Sequence, residues 1–306
     1  MKRLRRLKPG DKVALVAPAS SFPHEEIASG IAELERLGFE AVFDRSIFDK
    51  ERFTAGTIET RVKAIHAAWT DPGIAALIAV RGGYGSGELL PWLDVRVMQA
   101  HRKALIGYSD ITALLNLYLR SGLVAIHGPM IDRRISKGAV GYDEASFLDV
   151  LTLAEPAGLM RPDTLETLHA GTASGVLAGG TMTQLMALMG TAWAFDPPHG
   201  CVLFLEDIGE RPYRIHRLLT QMAQARILEK ASAIVFGEFP GCDEPGGDPA
   251  IREVLRDFTR DFKGPVLFNF PSGHTKGPTW TLPFGVRVEV NGGPSPSLTV
   301  LEAAVD

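Results

Sequence analysis

Fully apolar runs that alternate with helical patterns are the strongest constraint on the first half of this chain. Val13–Ala17 and Ile74–Val80 contain no polar residue, which is typical of strands buried on both faces of a sheet. Between them, His24–Leu37 has apolar residues at helical spacing, and Gly38 follows at the C-cap position. Such alternation predicts an α/β fold, in which helices cover both faces of a parallel sheet.

The same alternation continues as far as residue 119. Phe39–Phe43 and Ala104–Ile106 are predicted strands, and Thr57–Trp69 and Ile111–Leu119 are predicted helices. The second half is different, because one strong amphipathic helix, from Pro212 to about Ala225, is accompanied by several short strands. We therefore expect a smaller, β-rich α+β domain there, with these strands: Val202–Leu205, Ala233–Phe236, Val266–Phe268 and Val286–Val290.

The length of 306 residues predicts two domains. The segment around residues 155–173 contains Pro and several Thr without a clear period, and we interpret it as a linker. The predicted domains are therefore residues 1–154, which would carry the nucleophile, and residues 174–306.

Composition excludes several classes of protein. Lys plus Arg is 32 against 36 Asp plus Glu, so a net charge of −4 gives no general attraction to nucleic acid or to a membrane surface. Cys201 and Cys242 are expected to be buried free thiols rather than a disulfide, and no spacing predicts a metal site or a cofactor. The basic segment Met1–Pro9 precedes an apolar run that is too short for a signal peptide, so we expect a soluble cytoplasmic protein.

A glycine-rich loop, Arg81–Gly87, follows the third predicted strand. Ligands bind at the carboxyl ends of parallel strands, and glycines there let backbone N–H groups point together at an anion. The loop matches neither a P-loop nor a dinucleotide-binding fingerprint. A flexible turn is the alternative interpretation.

A second loop places Ser109 between the fourth predicted strand and a helix. A strand–Ser–helix junction is the geometry of a nucleophile elbow, in which the N–H of the next residue, here Asp110, helps to bind an oxyanion. The match to GxSxG is partial, since Ile111 replaces the second glycine. The alternative is that Ser109 or Asp110 caps the helix.

A nucleophilic serine needs a base, usually a histidine held by a carboxylate. Of the eight histidines, His274 follows a predicted strand and is the best candidate, and His127 is a weaker one. Glu206 ends another apolar strand, where a carboxylate needs a partner. Alternatively, Glu206 caps the next helix or pairs with one of its arginines.

Seven segments of the chain, in order, resemble the LD-carboxypeptidase family, which are serine peptidases that include the microcin-immunity hydrolases. They cover nearly the whole chain: Gly10–Ser20, Arg81–Gly85, Ile106–Asp110, His127–Met130, Gly179–Thr183, Leu205–Glu210, and Gly273–Thr275 with Thr281–Pro283. The resemblance implies an N-terminal domain like that of class I glutamine amidotransferases and a smaller, β-rich C-terminal domain. His216 is a departure, because the family is expected to have Asp there.

The resemblance also implies a site and a substrate. The triad would be Ser109, His274 and Glu206, with the backbone N–H groups of Gly83 and Asp110 as oxyanion hole and no metal. The implied reaction removes D-Ala from the murein tetrapeptide during cytoplasmic cell-wall recycling, by an enzyme that is commonly a homodimer. Arg81 is a candidate for binding the terminal carboxylate, although a structural ion pair is an equal alternative.

Two other functions stay open. A hydrolase of peptidyl or aminoacyl nucleotides, as in microcin immunity, would stack an aromatic residue on the base, and Trp193 or Trp280 could do so unless both merely pack in the core. A protein that binds wall peptides without cleaving them is the third possibility, and the occupied triad positions argue against it.

Overall fold

Two sheets organise the protein, and a computed structural model describes all residues from Met1 to Asp306. Strands of the first half are parallel: β1 (Lys12–Val16), β2 (Glu40–Val42), β3 (Ile74–Ala79), β4 (Ala104–Gly107) and β5 (Ala125–His127). Helices alternate with them: α1 (Glu25–Arg36), α2 (Ile58–Thr70), α3 (Val95–His101), α4 (Thr112–Arg120) and α5 (Glu144–Thr152). The predicted α/β class is confirmed, and β3 is buried at every residue, as its apolar sequence requires.

The second half contains nine strands and three helices. The strands are β6 (Gly158–Met160), β7 (Glu166–His169), β8 (Thr172–Thr181), β9 (Cys201–Glu206), β10 (Ala231–Phe236), β11 (Val266–Phe268), β12 (Leu282–Phe284), β13 (Arg287–Asn291) and β14 (Ser297–Val300). The helices are α6 (Met182–Ala187), α7 (Pro212–Gln224) and α8 (Ile251–Phe258).

The second sheet differs from the expected α+β arrangement. Its order is β6-β14-β13-β8-β9-β10-β11-β7, and the four strands from β8 to β11 run parallel. Parallel neighbours need crossover connections, which α6, α7 and α8 provide. The sequence predicts only α7, because α6 is short and α8 spans just two turns. The apolar faces of these helices pack in a second core around β9 and β10.

The predicted linker is not free of secondary structure. β6 pairs with β14 and β7 pairs with β11, so residues 155–173 contribute both edge strands of the second sheet. Each strand has only three or four residues, too few to show a period of two in the sequence. The boundaries of the two domains stay a prediction.

β12 joins the two halves. It lies late in the sequence but pairs antiparallel with β5, so the first sheet has the order β12-β5-β4-β3-β1-β2. Contacts between β8 and α4 also connect the halves, since the Thr181 N–H donates to the Thr112 hydroxyl over 3.3 Å. The carboxyl ends of β4 and β9 are thereby brought to a common region. None of the helices has the length and apolar character needed to cross a bilayer.

Candidate active site

Ser109 lies in a strained turn between β4 and α4. Its φ is +62°, in the left-handed region that non-glycine residues rarely adopt and that marks functional turns. No side chain caps the short 3₁₀ helix Ser109–Ile111 or the adjoining α4, so the capping alternative for Ser109 and Asp110 is wrong. Instead, the buried carboxylate of Asp110 accepts the backbone N–H of Ser86 over 2.7 Å.

The glycine-rich loop is an ordered structure rather than a flexible turn. The Tyr84 N–H donates to Ser20 Oγ over 3.1 Å, and the Ser20 N–H donates to the Gly82 carbonyl over 3.1 Å. From α2, the buried guanidinium of Arg61 donates to the Gly85 carbonyl over 2.9 Å. The backbone N–H of Gly83 donates no hydrogen bond within the protein, as an oxyanion donor requires.

Gly82 is the loop residue that packs on the serine, which the sequence analysis missed. A Cβ on Gly82 would lie 2.9 Å from Ser109 Cβ, 3.1 Å from Ser109 Oγ and 3.4 Å from the Asp110 nitrogen. A Cβ on Gly83 would instead meet Ser20 Oγ at 2.5 Å. The loop backbone can approach the serine only because position 82 lacks a side chain.

Glu206 and His274 form a hydrogen-bonded pair. Glu206 is fully buried at the end of β9, and its Oε2 accepts the Nδ1–H of His274 over 2.8 Å and the His274 backbone N–H over 3.0 Å. The Thr181 hydroxyl donates to the other carboxylate oxygen. Glu206 therefore neither caps α7 nor pairs with its arginines: Arg211 pairs with Glu244, and Arg214 with Glu210.

The pKa values of this pair move apart, as a carboxylate–imidazole pair requires. Burial alone would raise the pKa of Glu206, but the charge and hydrogen bond of His274 outweigh it and lower the pKa to about 2. Burial alone would lower the pKa of His274, but Glu206 outweighs it and holds the pKa above its ordinary 6.5. Glu206 is therefore ionised, and His274 can accept a proton at Nε2.

His127 lies behind this pair and not in the role of base. It is fully buried, stacks on Phe284 with ring centroids 5.1 Å apart, and neither ring nitrogen has a hydrogen-bond partner. Burial lowers its pKa to about 4, against an opposing effect of Glu206. It is therefore neutral at physiological pH.

Tyr108 connects the serine with the histidine. Its ring meets the His274 ring edge to face, with centroids 5.1 Å apart, and Ser109 is the next residue in the chain. This contact places the base candidate from the second half of the chain against the residue that directly precedes the nucleophile candidate. Nothing in the sequence patterns pointed to Tyr108.

The remaining predicted site residues have ordinary partners. Arg81 Nε lies 3.4 Å from Asp132 Oδ2, and the Arg81 side chain is 31% exposed. Trp193 and Trp280 are half-buried and pack against the first core. His216 lies on α7 beside Thr220 and Phe258, so its difference from the expected Asp leaves the ion pairs of Arg211 and Arg214 intact. Cys201 and Cys242 are buried and free, as predicted.

Comparison with known proteins identifies the same family that the seven sequence segments resemble, over most of the chain. Residues 13–128 match the family model of the LD-carboxypeptidase N-terminal domain, and residues 174–290 match that of the LD-carboxypeptidase C-terminal domain. The murein tetrapeptide carboxypeptidase of Pseudomonas aeruginosa is 33% identical over 270 residues, which cover 86% of this chain and 88% of that protein.

Two further relatives represent both branches that the sequence indicated. The microcin C7 self-immunity protein MccF of Escherichia coli is 28% identical over 303 residues, covering 90% of this chain and 88% of that protein. A crystal structure of muramoyltetrapeptide carboxypeptidase from Oxalobacter formigenes superposes with a TM-score of 0.83 at 30% identity, over 95% of this chain and 99% of that one. With both domains matched in order, the chain belongs to the LD-carboxypeptidase family of peptidases.

Proposed function

We propose that this protein is a serine-type LD-carboxypeptidase that removes the C-terminal D-Ala from murein tetrapeptide, L-Ala-γ-D-Glu-meso-diaminopimelate-D-Ala. The observation that carries the proposal is the buried Glu206–His274 pair next to Tyr108 and the strained Ser109. A carboxylate, an imidazole and a serine on a strand–helix turn are the parts of an acyl-transfer triad. The substrate follows from the murein peptidases among the relatives.

In the proposed reaction, neutral His274 takes the hydroxyl proton of Ser109 through Nε2 as Ser109 attacks the carbonyl before D-Ala. The N–H groups of Gly83 and Asp110 stabilise the oxyanion, and each such donor contributes about 10²–10³-fold in rate. Glu206 stabilises the imidazolium that forms, and His274 then protonates the departing amine. Water, deprotonated by His274, releases the tripeptide from Ser109.

We assign the terminal carboxylate of the substrate to Arg81. Its guanidinium is partly exposed beside the glycine-rich loop, and its partner Asp132 leaves donors free for a second carboxylate. Arg81→Ala is expected to raise KM for the tetrapeptide while kcat changes less. An unchanged KM would leave Arg81 as half of a structural ion pair.

The test of the function is mass spectrometry of the tetrapeptide after incubation with the wild type and with Ser109→Ala. D-Ala release by the wild type alone supports both the reaction and the nucleophile. Ser121→Ala is a matched control, because that hydroxyl donates only to the Leu117 carbonyl at the end of α4. Turnover by Ser109→Ala would refute the triad, and tight binding without cleavage by the wild type would favour a wall-peptide-binding protein.

Hydrolysis of aminoacyl nucleotides is the second candidate. Trp280 lines a groove of about 430 Å³ with Lys276 and Gly277, which continue the loop of His274. A base stacked on Trp280 would quench its fluorescence. Titration of the wild type with an adenylate analogue, compared with the same titration of Trp280→Leu, therefore tests this function.

We also propose that the enzyme is a cytoplasmic homodimer. Light scattering, which measures the mass of the particle in solution, would test the dimer.

A further inference from the structure

Arg134 is a buried cation whose side chain binds only neutral groups. It is 9% exposed and precedes the 3₁₀ helix Ile135–Val140 in the first half of the chain. Its guanidinium donates to one phenol oxygen and four backbone carbonyls: Tyr108 Oη at 3.1 Å, Gly273 at 3.2 Å, Thr275 at 3.1 Å, Gly277 at 3.0 Å and Gly141 at 3.4 Å. A buried charge is costly unless hydrogen bonds replace its hydration, and this fork has five acceptors.

Three of these acceptors belong to the loop that carries His274. Gly273 and Thr275 flank His274 directly, and Gly277 follows two residues later. Carbonyls on both sides of His274 therefore point at one rigid, planar group. The N–H groups of the loop bind other partners, since Gly273, His274 and Lys276 donate to Thr279 Oγ1, Glu206 Oε2 and Glu238 Oε2. Arg134 adds bonds to three of its carbonyls.

The same guanidinium also reaches the nucleophile side. Its Nε binds the phenol of Tyr108, the residue before Ser109, and its Cζ lies 5.8 Å from the centre of the Tyr108 ring. The Tyr108 ring in turn packs edge to face on His274. We propose that Arg134 is a positioning residue that fixes the His274 loop against the Tyr108–Ser109 turn. It would thereby hold the base and the nucleophile, which come from different halves of the chain, at a fixed relative position.

The charge of Arg134 fits this role. Burial lowers the pKa of His274, the charges of Glu206 and Asp207 raise it, and the charge of Arg134 lowers it. His127 and Tyr108 also lie near this imidazole. A cation that is not neutralised by a carboxylate opposes the protonation of His274. It thereby helps to keep the proposed base neutral while its backbone is held.

The proposal rests on the proposed function, and its first test uses kinetics with the murein tetrapeptide. Arg134→Met removes charge and donors, and a misplacement of about 1 Å in a catalytic group costs about 10²-fold in rate. We expect kcat to fall by about that factor while KM changes less than about threefold, because the proposal gives Arg134 a positioning role and no contact with substrate. Arg134→Lys keeps the charge but not the fork, and should recover only part of kcat.

Lys103→Met is the matched control for the loss of a buried cation. Lys103 is 3% exposed, and its Nζ donates to the carbonyls of Ala68 and Asp71, near the start of β4 and away from Ser109. It should lose thermal stability but keep kcat. Should Arg134→Met not fold, Tyr108→Phe removes one of the five acceptors and should lower kcat modestly at constant KM.

The second test needs no substrate. The Nδ1 proton shared by His274 and Glu206 is expected to give a far-downfield resonance in the proton NMR spectrum of the wild type. If Arg134 holds the loop, Arg134→Met broadens or loses this resonance through exchange with water, whereas Lys103→Met keeps it. An unchanged resonance, or a kcat loss no greater than in Lys103→Met, would overturn the proposal. A wild type that keeps the resonance but releases no D-Ala would refute the murein reaction alone.

Discussion

Glu206 and Asp207 are consecutive buried carboxyl groups, of which Glu206 binds the imidazole of His274 and Asp207 does not. Glu206 accepts the ring and backbone N–H groups of His274, whereas Asp207 accepts the backbone N–H groups of Thr183 and Ile208, each over 2.9 Å. Burial, followed by the charge of Glu206, raises the pKa of Asp207 to about 7, while the pKa of Glu206 falls to about 2. The negative charge near neutral pH is therefore concentrated on the group that holds the imidazole.

Glu206→Gln tests that concentration of charge. The amide is nearly isosteric, but it cannot stabilise an imidazolium and can select the wrong tautomer of His274. In serine peptidases the equivalent change costs about 10⁴-fold in kcat, and we expect a loss of about 10³–10⁴-fold. Steady-state kinetics on the tetrapeptide measure it. Glu166→Gln, which alters a surface pair with Arg252, is the control, and a Glu206→Gln variant with near wild-type kcat would contradict the triad.

The pH dependence of kcat/KM should follow His274. The active form is the neutral imidazole, so activity is lost as pH falls through its pKa. Because Glu206 holds that pKa above the ordinary 6.5, the midpoint of the acid limb should lie above 6.5. A pH–rate profile with constant ionic strength measures it. A midpoint near 4 would indicate a carboxylate base instead.

Gly82→Ala should impair the site without disrupting the fold. The φ of Gly82 lies outside the left-handed region, so alanine is compatible with the backbone, but its Cβ would lie 2.9 Å from Ser109 Cβ. The serine or the loop must shift, and we expect a loss of about 10²-fold in kcat. Gly87→Ala, in the same loop with no atom within 4 Å of its Cβ, is the matched control. Equal kinetics for both variants would show that the loop does not constrain Ser109.

His127 makes the protein sensitive to acid. Its pKa is about 4 when folded and an ordinary 6.5 when unfolded, so the unfolded chain binds more protons between these values. The folding stability linked to His127 is therefore present above pH 6.5 and is lost as pH falls towards about 4. The free energy of unfolding lost in this way is about 3 kcal/mol.

His127→Phe should flatten that loss. Phenylalanine suits the aromatic surroundings of Phe204 and Phe284, whatever its effect on absolute stability. Urea unfolding at about pH 6.5 and about pH 4 gives the difference for each protein. The wild type should lose more free energy of unfolding than His127→Phe, while the surface variant His101→Gln should behave like the wild type. Equal losses in all three would contradict the effect.

Sequence reasoning succeeds where burial forces a pattern. β3 is fully apolar because both faces are covered, and the predicted strand Val266–Phe268, between Pro265 and Asn269, has the observed bounds of β11. The strand-end rule also identified Ser109, Glu206 and His274, because Glu206 ends a buried strand, and Ser109 and His274 lie in the segments that follow two others. Their assignment as a triad stays a proposal, but the Glu206–His274 contact had been expected.

The rest depends on contacts between distant segments, which leave no local pattern. Arg134 looks like any surface arginine in the sequence, and only the fold places five acceptors around it. Tyr108 and Gly82 matter because of what they pack against. The short strands β6, β7 and β12 owe their conformation to their sheet partners, and three or four residues carry too little periodicity to reveal them.

The pairing of β12 with β5 also governs how the protein can be made. On the ribosome, the open side of β5 has no partner until Phe284 has emerged, so most of the chain is synthesised before that sheet is closed. An unpaired edge can join strands of other molecules. A chain cut short by premature termination would therefore tend to aggregate, and one cut before residue 274 would also lack the proposed base, His274.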